Sequence, residues 1–184
     1  MVRCFPAGLD LARLPTPLNE GEFRTLEASH LLPDQWDVFV QPQLGLMEPD
    51  FLLVNDDAGV VIVEVKDWSP DRYRRRNGSI QVSSSGGWTT ISHPSTQVKR
   101  YLHGVFEECF AMPDSADTEK AGVRGALLLP RFSDAAARDL VGPIRNTIVG
   151  GAETLHGLAA VVEDLFPTPT HRPESIEKLR RQLI

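Results

Sequence analysis

Hydrophobic positions along the chain change period several times, and each change marks an element. Residues 1–18 carry three prolines and no period, so they read as an irregular N-terminal arm. Asn19 can cap a helix, with Glu22 at capping-box spacing behind it; Phe23, Leu26, His30 and Leu31 then recur at helical intervals up to Pro33. A first helix over residues 20–32 is predicted. Trp36–Val40, Phe51–Val54 and Val60–Lys66 read as strands, the last two joined through Asn55-Asp56-Asp57-Ala58-Gly59 as a hairpin. A polar, arginine-rich stretch follows and reads as mobile, with short strands near Ser79–Val82 and Gly87–Ile91. Pro94 suits the first turn of a second helix, which places Val98, Leu102, Val105 and Cys109 on one face. After a polar loop over 113–121, the apolar run Val123–Leu129 ends at Pro130 as a buried strand would. Helices are expected over 133–140 and 153–165. Beyond the turn-like Pro167-Thr168-Pro169, a last amphipathic helix carries Ile176, Leu179 and Leu183. Ending there without a cap, the chain is expected to continue into a downstream domain.

Charge enters this pattern at an unusual place. Val60-Val61-Ile62-Val63 is apolar on both faces, as in a central strand, yet it runs into Glu64-Val65-Lys66. Glu64 and Lys66 are two apart and share a face, roughly 6.6 Å apart along the strand. If Val54 pairs with Val60, counting back sets Asp50 opposite Glu64. A loop shorter by one residue would put the two carboxylates on opposite faces. Paired β-carbons lie about 4.5–5.5 Å apart, so like charges there destabilise a sheet unless something neutralises them. A divalent cation would do so, and Lys66 beside them could hold or activate a water: the ingredients of metal-assisted phosphodiester hydrolysis.

Composition narrows the setting. A chain of 184 residues, 41% hydrophobic and 24% charged, has the size and balance of one soluble domain. No apolar stretch nears the roughly 20 residues of a membrane span, and the start lacks a signal-peptide core; the expected location is cytoplasmic. Cys4 and Cys109 have no partner at zinc or disulfide-framework spacing, and the five histidines show no metal spacing. A net charge of −6 argues against nucleic-acid binding by bulk electrostatics, so any DNA contact must be local. Arg72, Arg74, Arg75 and Arg76 form such a block, with Lys99 and Arg100 on the second helix as further backbone contacts; a solvated loop is the plainer reading of the block. Trp68 and Trp88 could stack a base or belong to the core.

The order Glu48-Pro49-Asp50-Phe51, then Val63-Glu64-Val65-Lys66, resembles the signature of the PD-(D/E)XK nuclease superfamily. Gly21-Glu22, Pro49-Asp50, Glu64-Val65-Lys66-Asp67-Trp68, and His93-Pro94 with Gln97 and Tyr101 resemble, more narrowly, the nuclease-related domain, NERD. The resemblance implies an α/β fold with a restriction-endonuclease-like core: helix, three antiparallel strands, helix and a further strand in a mixed sheet. It would span residues 19–130, with a mostly helical C-terminal extension over 131–184.

The resemblance also implies roles. Asp50 and Glu64, with the Val65 carbonyl, would hold Mg²⁺ or Mn²⁺. Lys66 would position the attacking water, and Glu22 would reach the metal directly or through water, unless it serves as a cap. Gln97 would support the metal or the DNA phosphate, and Tyr101 would shape the same DNA-facing wall. The expected activity is that of a metal-dependent deoxyribonuclease, in repair or defence, fused to a helicase. The alternative is a non-catalytic module that recruits DNA or a partner for that helicase.

Overall fold

The structure, a computed structural model, describes residues 2–5, 14–110, 122–166 and 173–183. Its elements run β1 (Arg3–Phe5), α1 (Glu20–Ser29), β2 (Asp37–Val40), β3 (Phe51–Asn55), β4 (Gly59–Val65), β5 (Tyr73–Arg76), β6 (Ser79–Ser84), β7 (Gly87–Thr90) and α2 (Pro94–Phe110). Then follow β8 (Val123–Leu128), α3 (Asp134–Val141), β9 (Thr147–Gly150), α4 (Ala152–His156), α5 (Leu158–Asp164) and α6 (Pro173–Leu183).

A six-stranded mixed sheet in the order β1-β2-β3-β4-β8-β9 forms the centre, and β5-β6-β7 form a separate antiparallel sheet. β2, β3 and β4 are antiparallel neighbours, while β8 runs parallel to β4. This is the expected core of helix, three antiparallel strands, helix and further strand. The apolar run Val60–Val63 is wholly buried because β4 is flanked on both edges, by β3 and β8.

The hairpin register follows from its turn. Asn55 Oδ1 accepts from the backbone N–H groups of Asp57 (2.9 Å) and Ala58 (3.0 Å), closing the turn locally. Gly59 sits at φ +140°, where a Cβ would lie 2.1 Å from the Gly122 carbonyl oxygen, so only glycine lets β4 start against the residue before β8. Val54 then pairs with Val60 and Phe51 with Val63, the register expected.

Strand alternation sorts the core. Leu52, Val54, Val60 and Ile62 join Val98, Tyr101, Leu102 and Val105 of α2 on one side of the sheet. Phe51, Leu53, Val61, Val63 and Val65 face the other side with Leu26 of α1 and Leu158 and Val162 of α5. Continuing the alternation puts Asp50, Glu64 and Lys66 on the α2 side, at the open end of the hairpin.

Four features depart from the sequence reading. Arg3–Phe5, in the stretch expected to be irregular, pairs in parallel with β2. Tyr73–Arg76, read as part of a mobile segment, is strand β5. Thr147–Gly150 adds β9 to the main sheet, so residues beyond 131 contribute a strand as well as helices. The single helix expected over 153–165 is two, α4 and α5, parted at Gly157. The polar loop over 113–121, the Pro167-Thr168-Pro169 turn, residues 6–13 of the arm and the Cys109 side chain lie outside the described residues. No helix among the described residues is long and apolar enough to cross a membrane.

Candidate active site

Two carboxylates meet where β3 begins and β4 ends. Asp50 Oδ2 accepts from the backbone N–H of Val65 at 2.6 Å, which ties the residue before β3 to the last residue of β4. Glu64 is 2% exposed; its Oε1 accepts from Lys66 Nζ at 2.6 Å, while its Oε2 is buried with no hydrogen-bond partner. A buried carboxylate oxygen without a donor is rare and needs a reason.

The lysine is held from α2. Lys66 Nζ also donates to Gln97 Oε1 (3.0 Å), Gln97 Nε2 donates to the Tyr101 hydroxyl (3.0 Å), and that hydroxyl donates to the Glu48 carbonyl (3.1 Å). Gln97 and Tyr101 stand one helical turn apart on the face of α2 that meets the sheet. The chain of bonds fixes which way the Gln97 amide points, so its oxygen faces the ammonium. Tyr101→Phe should therefore loosen Lys66: we expect a stability loss of about 1 kcal/mol in urea denaturation, with the Gln97 amide resonances shifted in NMR spectra. Unchanged resonances would show that the hydroxyl does not set the amide.

Glu22 completes the electrostatics from α1. Asn19 caps the helix: its Oδ1 accepts from Glu22 N at 2.9 Å, while Glu22 Oε2 accepts from Asn19 N at 3.0 Å and Oε1 from Asn19 Nδ2 at 2.7 Å. The capping role is thus realised. Glu22 nevertheless lines a cavity of about 160 Å³ with Asp50, Glu48, Gln41 and Gln43. Burial, then the Glu64 charge, push the Asp50 carboxyl up to about 7, against the Val65 N–H, which favours the charged form; the Glu22 charge adds to the rise. Burial raises Glu64 as well, with Lys66 opposing it and Glu22 adding to it.

On the other side of Lys66 opens a cleft of about 350 Å³, lined also by Trp68, His93, Pro94, Gln97 and Arg100. His93 pins its rim. His93 Nε2 lies 3.0 Å from the Val141 carbonyl and so carries the proton, leaving Nδ1 to accept from Ser95 N (3.2 Å) at the start of α2.

The candidate residues divide accordingly. Asp50, Glu64, Lys66, Gln97 and Glu22 converge, and Val65 contributes its N–H to Asp50. Lys99 and Arg100 are exposed on α2, Arg100 at the cleft. Tyr101 is 4% exposed, so it supports the wall from inside and offers DNA no surface. Arg74 and Arg76 lie on one face of β5 and Arg75 on the other, where it donates to the Asp139 carbonyl at 3.3 Å. Trp68, partly buried, stacks on Tyr73 with centroids 4.4 Å apart and packs against the core, and it also lines the cleft.

Sequence reasoning missed one brace. Arg131 donates to both oxygens of Asp67 (2.7 and 3.1 Å) and to Glu20 (2.8 Å), tying the segment after Lys66 to the start of α1. Gly21 approaches the same place: a Cβ there would lie 3.2 Å from Val65 Cγ1 and from Asp67 Oδ1. The spacing of these residues in the chain carries no signal of that meeting.

A central mixed sheet with acidic residues at the open end of an antiparallel hairpin and a lysine two residues on defines a restriction-endonuclease-like domain. The nuclease-related domain family, NERD, matches residues 18–120, more than half of the chain, and the protein belongs to that family. No curated protein and no solved structure matches the chain.

The donors suit a hard cation. Among the described residues no group of three or more His, Cys, Asp or Glu stands at metal-binding spacing. Asp50 and Glu64, all-oxygen ligands with one oxygen lacking a donor, fit Mg²⁺ or Mn²⁺, since Mg²⁺ usually takes one or two carboxylates and keeps several waters.

Proposed function

We propose that this domain is a deoxyribonuclease that hydrolyses phosphodiester bonds with Mg²⁺ or Mn²⁺, and that Asp50, Glu64 and Lys66 carry the reaction. The observation behind this reading is the buried Glu64 carboxylate, one oxygen bound by Lys66 and the other without a donor, beside a second carboxylate of raised pKa. Asp50, Glu64 and the Val65 carbonyl would hold the cation, with Glu22, both of whose oxygens hold the cap, acting through water. When bound, the cation supplies Lewis-acid stabilisation of charge on the phosphate oxygens.

The chain's own groups do the rest. Lys66 has three N–H donors, of which Glu64 and Gln97 take two; the third can orient a water at the cleft so that its lone pair faces phosphorus. Gln97, held by Tyr101, keeps the ammonium in place. Arg100 sits where it can neutralise a phosphate of the bound strand. In a longer polypeptide such a domain would cut DNA handled by a linked helicase, in repair or defence.

Cleavage of plasmid and single-stranded DNA tests the reading. With Mg²⁺ or Mn²⁺ the wild-type domain should cut, EDTA should stop it, and Lys66→Ala should lower the rate by about 10²–10⁴-fold. Cleavage that persists in Lys66→Ala rules out the assigned roles. Salt-dependent DNA binding without turnover would instead mark a recruiting module.

A further inference from the structure

The small sheet β5-β6-β7 has two faces of different kind. Tyr73, Ile80 and Arg75 lie on the inner one: Ile80 is 1% exposed, and Arg75 reaches the α3 backbone. The outer face follows from the register. Arg74 pairs with Gln81 and Gln81 with Thr90; Ser83 pairs with Trp88, and Ser83 N donates to the Arg72 carbonyl at 2.8 Å, which carries the alignment on to Arg72. Arg76 pairs with Ser79. Arg72, Arg74 and Arg76 thus stand on one side of one strand, about 6.8 Å apart in sequence order, with Trp88 among them.

Trp88 is 39% exposed although apolar, and the Arg74 guanidinium lies 3.9 Å over its ring, with Arg74 Nε bonded to Gln81 Oε1 at 3.0 Å. An exposed indole braced by a guanidinium that is itself hydrogen-bonded is a flat, rigid, cationic surface. Such a surface stacks nucleobases. The charge agrees. In a protein of net charge −6, the stretch from Arg72 to Phe106 contains no Asp or Glu and six Arg or Lys residues. It is also continuous with the cleft: Thr90 ends β7, and Ser92, two residues on, lines the cleft with Trp68, Lys66 and Arg100.

We propose that the outer face of β5–β7 is a binding platform for single-stranded nucleic acid. A base stacks on the Trp88–Arg74 pair, phosphates meet Arg72 and Arg76, and the strand passes along Ser92 into the cleft at Lys66. Only that last passage rests on the nuclease reading; binding to the platform does not.

Fluorescence anisotropy in EDTA, where no cutting occurs, tests it with a labelled thymidine oligonucleotide of about 20 nucleotides and a blunt duplex of the same length. Trp88→Ala should weaken single-strand binding about ten-fold, and Trp88→Phe, which keeps an aromatic face, should stay within about three-fold of wild type. Replacing Arg72 and Arg76 together by Ser should reduce the slope of log K against log salt by about 1.4. The duplex should bind more weakly than the single strand. Equal or tighter duplex binding, no single-strand binding, or a folded Trp88→Ala protein with wild-type affinity overturns the platform. Plasmid cleavage by wild type and Lys66→Ala decides the nuclease reading separately, whichever way the binding falls.

Discussion

Asp50→Asn should abolish divalent-dependent DNA cleavage and, in EDTA at pH 8, make the protein more stable than wild type. Both effects have one cause. The substituted amide keeps an oxygen that can accept from Val65 N–H, so the strand ends stay tied, but the charge that opposes Glu64 and Glu22 is gone. In wild type the folded state pushes the Asp50 carboxyl up to about 7, whereas in an unfolded chain it sits near 3.9. The folded protein therefore holds a proton that the unfolded chain releases. Its contribution to stability is fully present below about pH 4 and is lost as the pH rises through about 7.

Because the repulsion is shared with Glu64 and eased by Lys66, we expect Asp50→Asn to gain about 1–3 kcal/mol at pH 8, roughly 2–8 °C in Tm. At pH 5, where the folded carboxyl is neutral and only the first part of the loss between about pH 4 and 7 has accrued, the gain should be clearly smaller than at pH 8. Adding Mn²⁺ at pH 8 should raise the Tm of wild type and leave that of the variant almost unmoved, since a ligand stabilises only the state that binds it. Thermal denaturation at the two pH values, with and without Mn²⁺, reads all of this. A variant less stable than wild type at pH 8 would mean that the carboxylates do not repel one another in the folded protein.

The second large effect lies at the far end of the same sheet. Asp37 in β2 is 0% exposed, and two distant parts of the chain converge on it. Arg3 of β1 donates through Nε (2.6 Å) and Nη2 (2.8 Å), and Arg180 of α6 forms an ion pair with Oδ2 while also donating to Asp56 of the hairpin turn at 2.9 Å. Burial, and the neighbouring Arg3 charge, lower the pKa of Arg180, and its Nη2 is buried without a partner. The aspartate is what makes a guanidinium tolerable there.

Asp37→Ala leaves the mostly buried Arg180 cation with only the exposed Asp56 carboxylate as partner, and should cost about 3–5 kcal/mol, with Tm lower by roughly 10 °C. β1 and α6 should lose protection first in hydrogen exchange, because each is tied down through this carboxylate. A loss below about 1 kcal/mol in urea denaturation would contradict the account. DNA cleavage by whatever fraction stays folded should be unaffected, which separates this carboxylate from Asp50.

Local order was legible wherever side-chain chemistry acts within a few residues. The Asn19–Glu22 cap, the Asn55 turn, the central position of Val60–Val63 and the Val54–Val60 pairing all follow from contacts short in sequence. Because the strand period is two, that pairing alone carried Asp50 and Glu64 to one face. The short strands β1, β5 and β9 were not legible. Three or four residues hold too few alternations to signal a strand, and Arg3–Phe5 and Thr147–Gly150 become strands only because β2 and β8 offer them free edges. Tyr73–Arg76 is too polar to look like one.

Counting along one continuous segment was enough to set the hairpin, its register and hence the meeting of two carboxylates and a lysine. What surrounds them came from tertiary packing: Gln97 turned toward Lys66 by Tyr101, Glu22 brought near from α1, Arg131 bracing Asp67, and Arg74 laid on Trp88. Each of those contacts joins segments separated by a turn or by whole elements, where the distance between two side chains depends on how entire faces pack and not on any spacing in the chain.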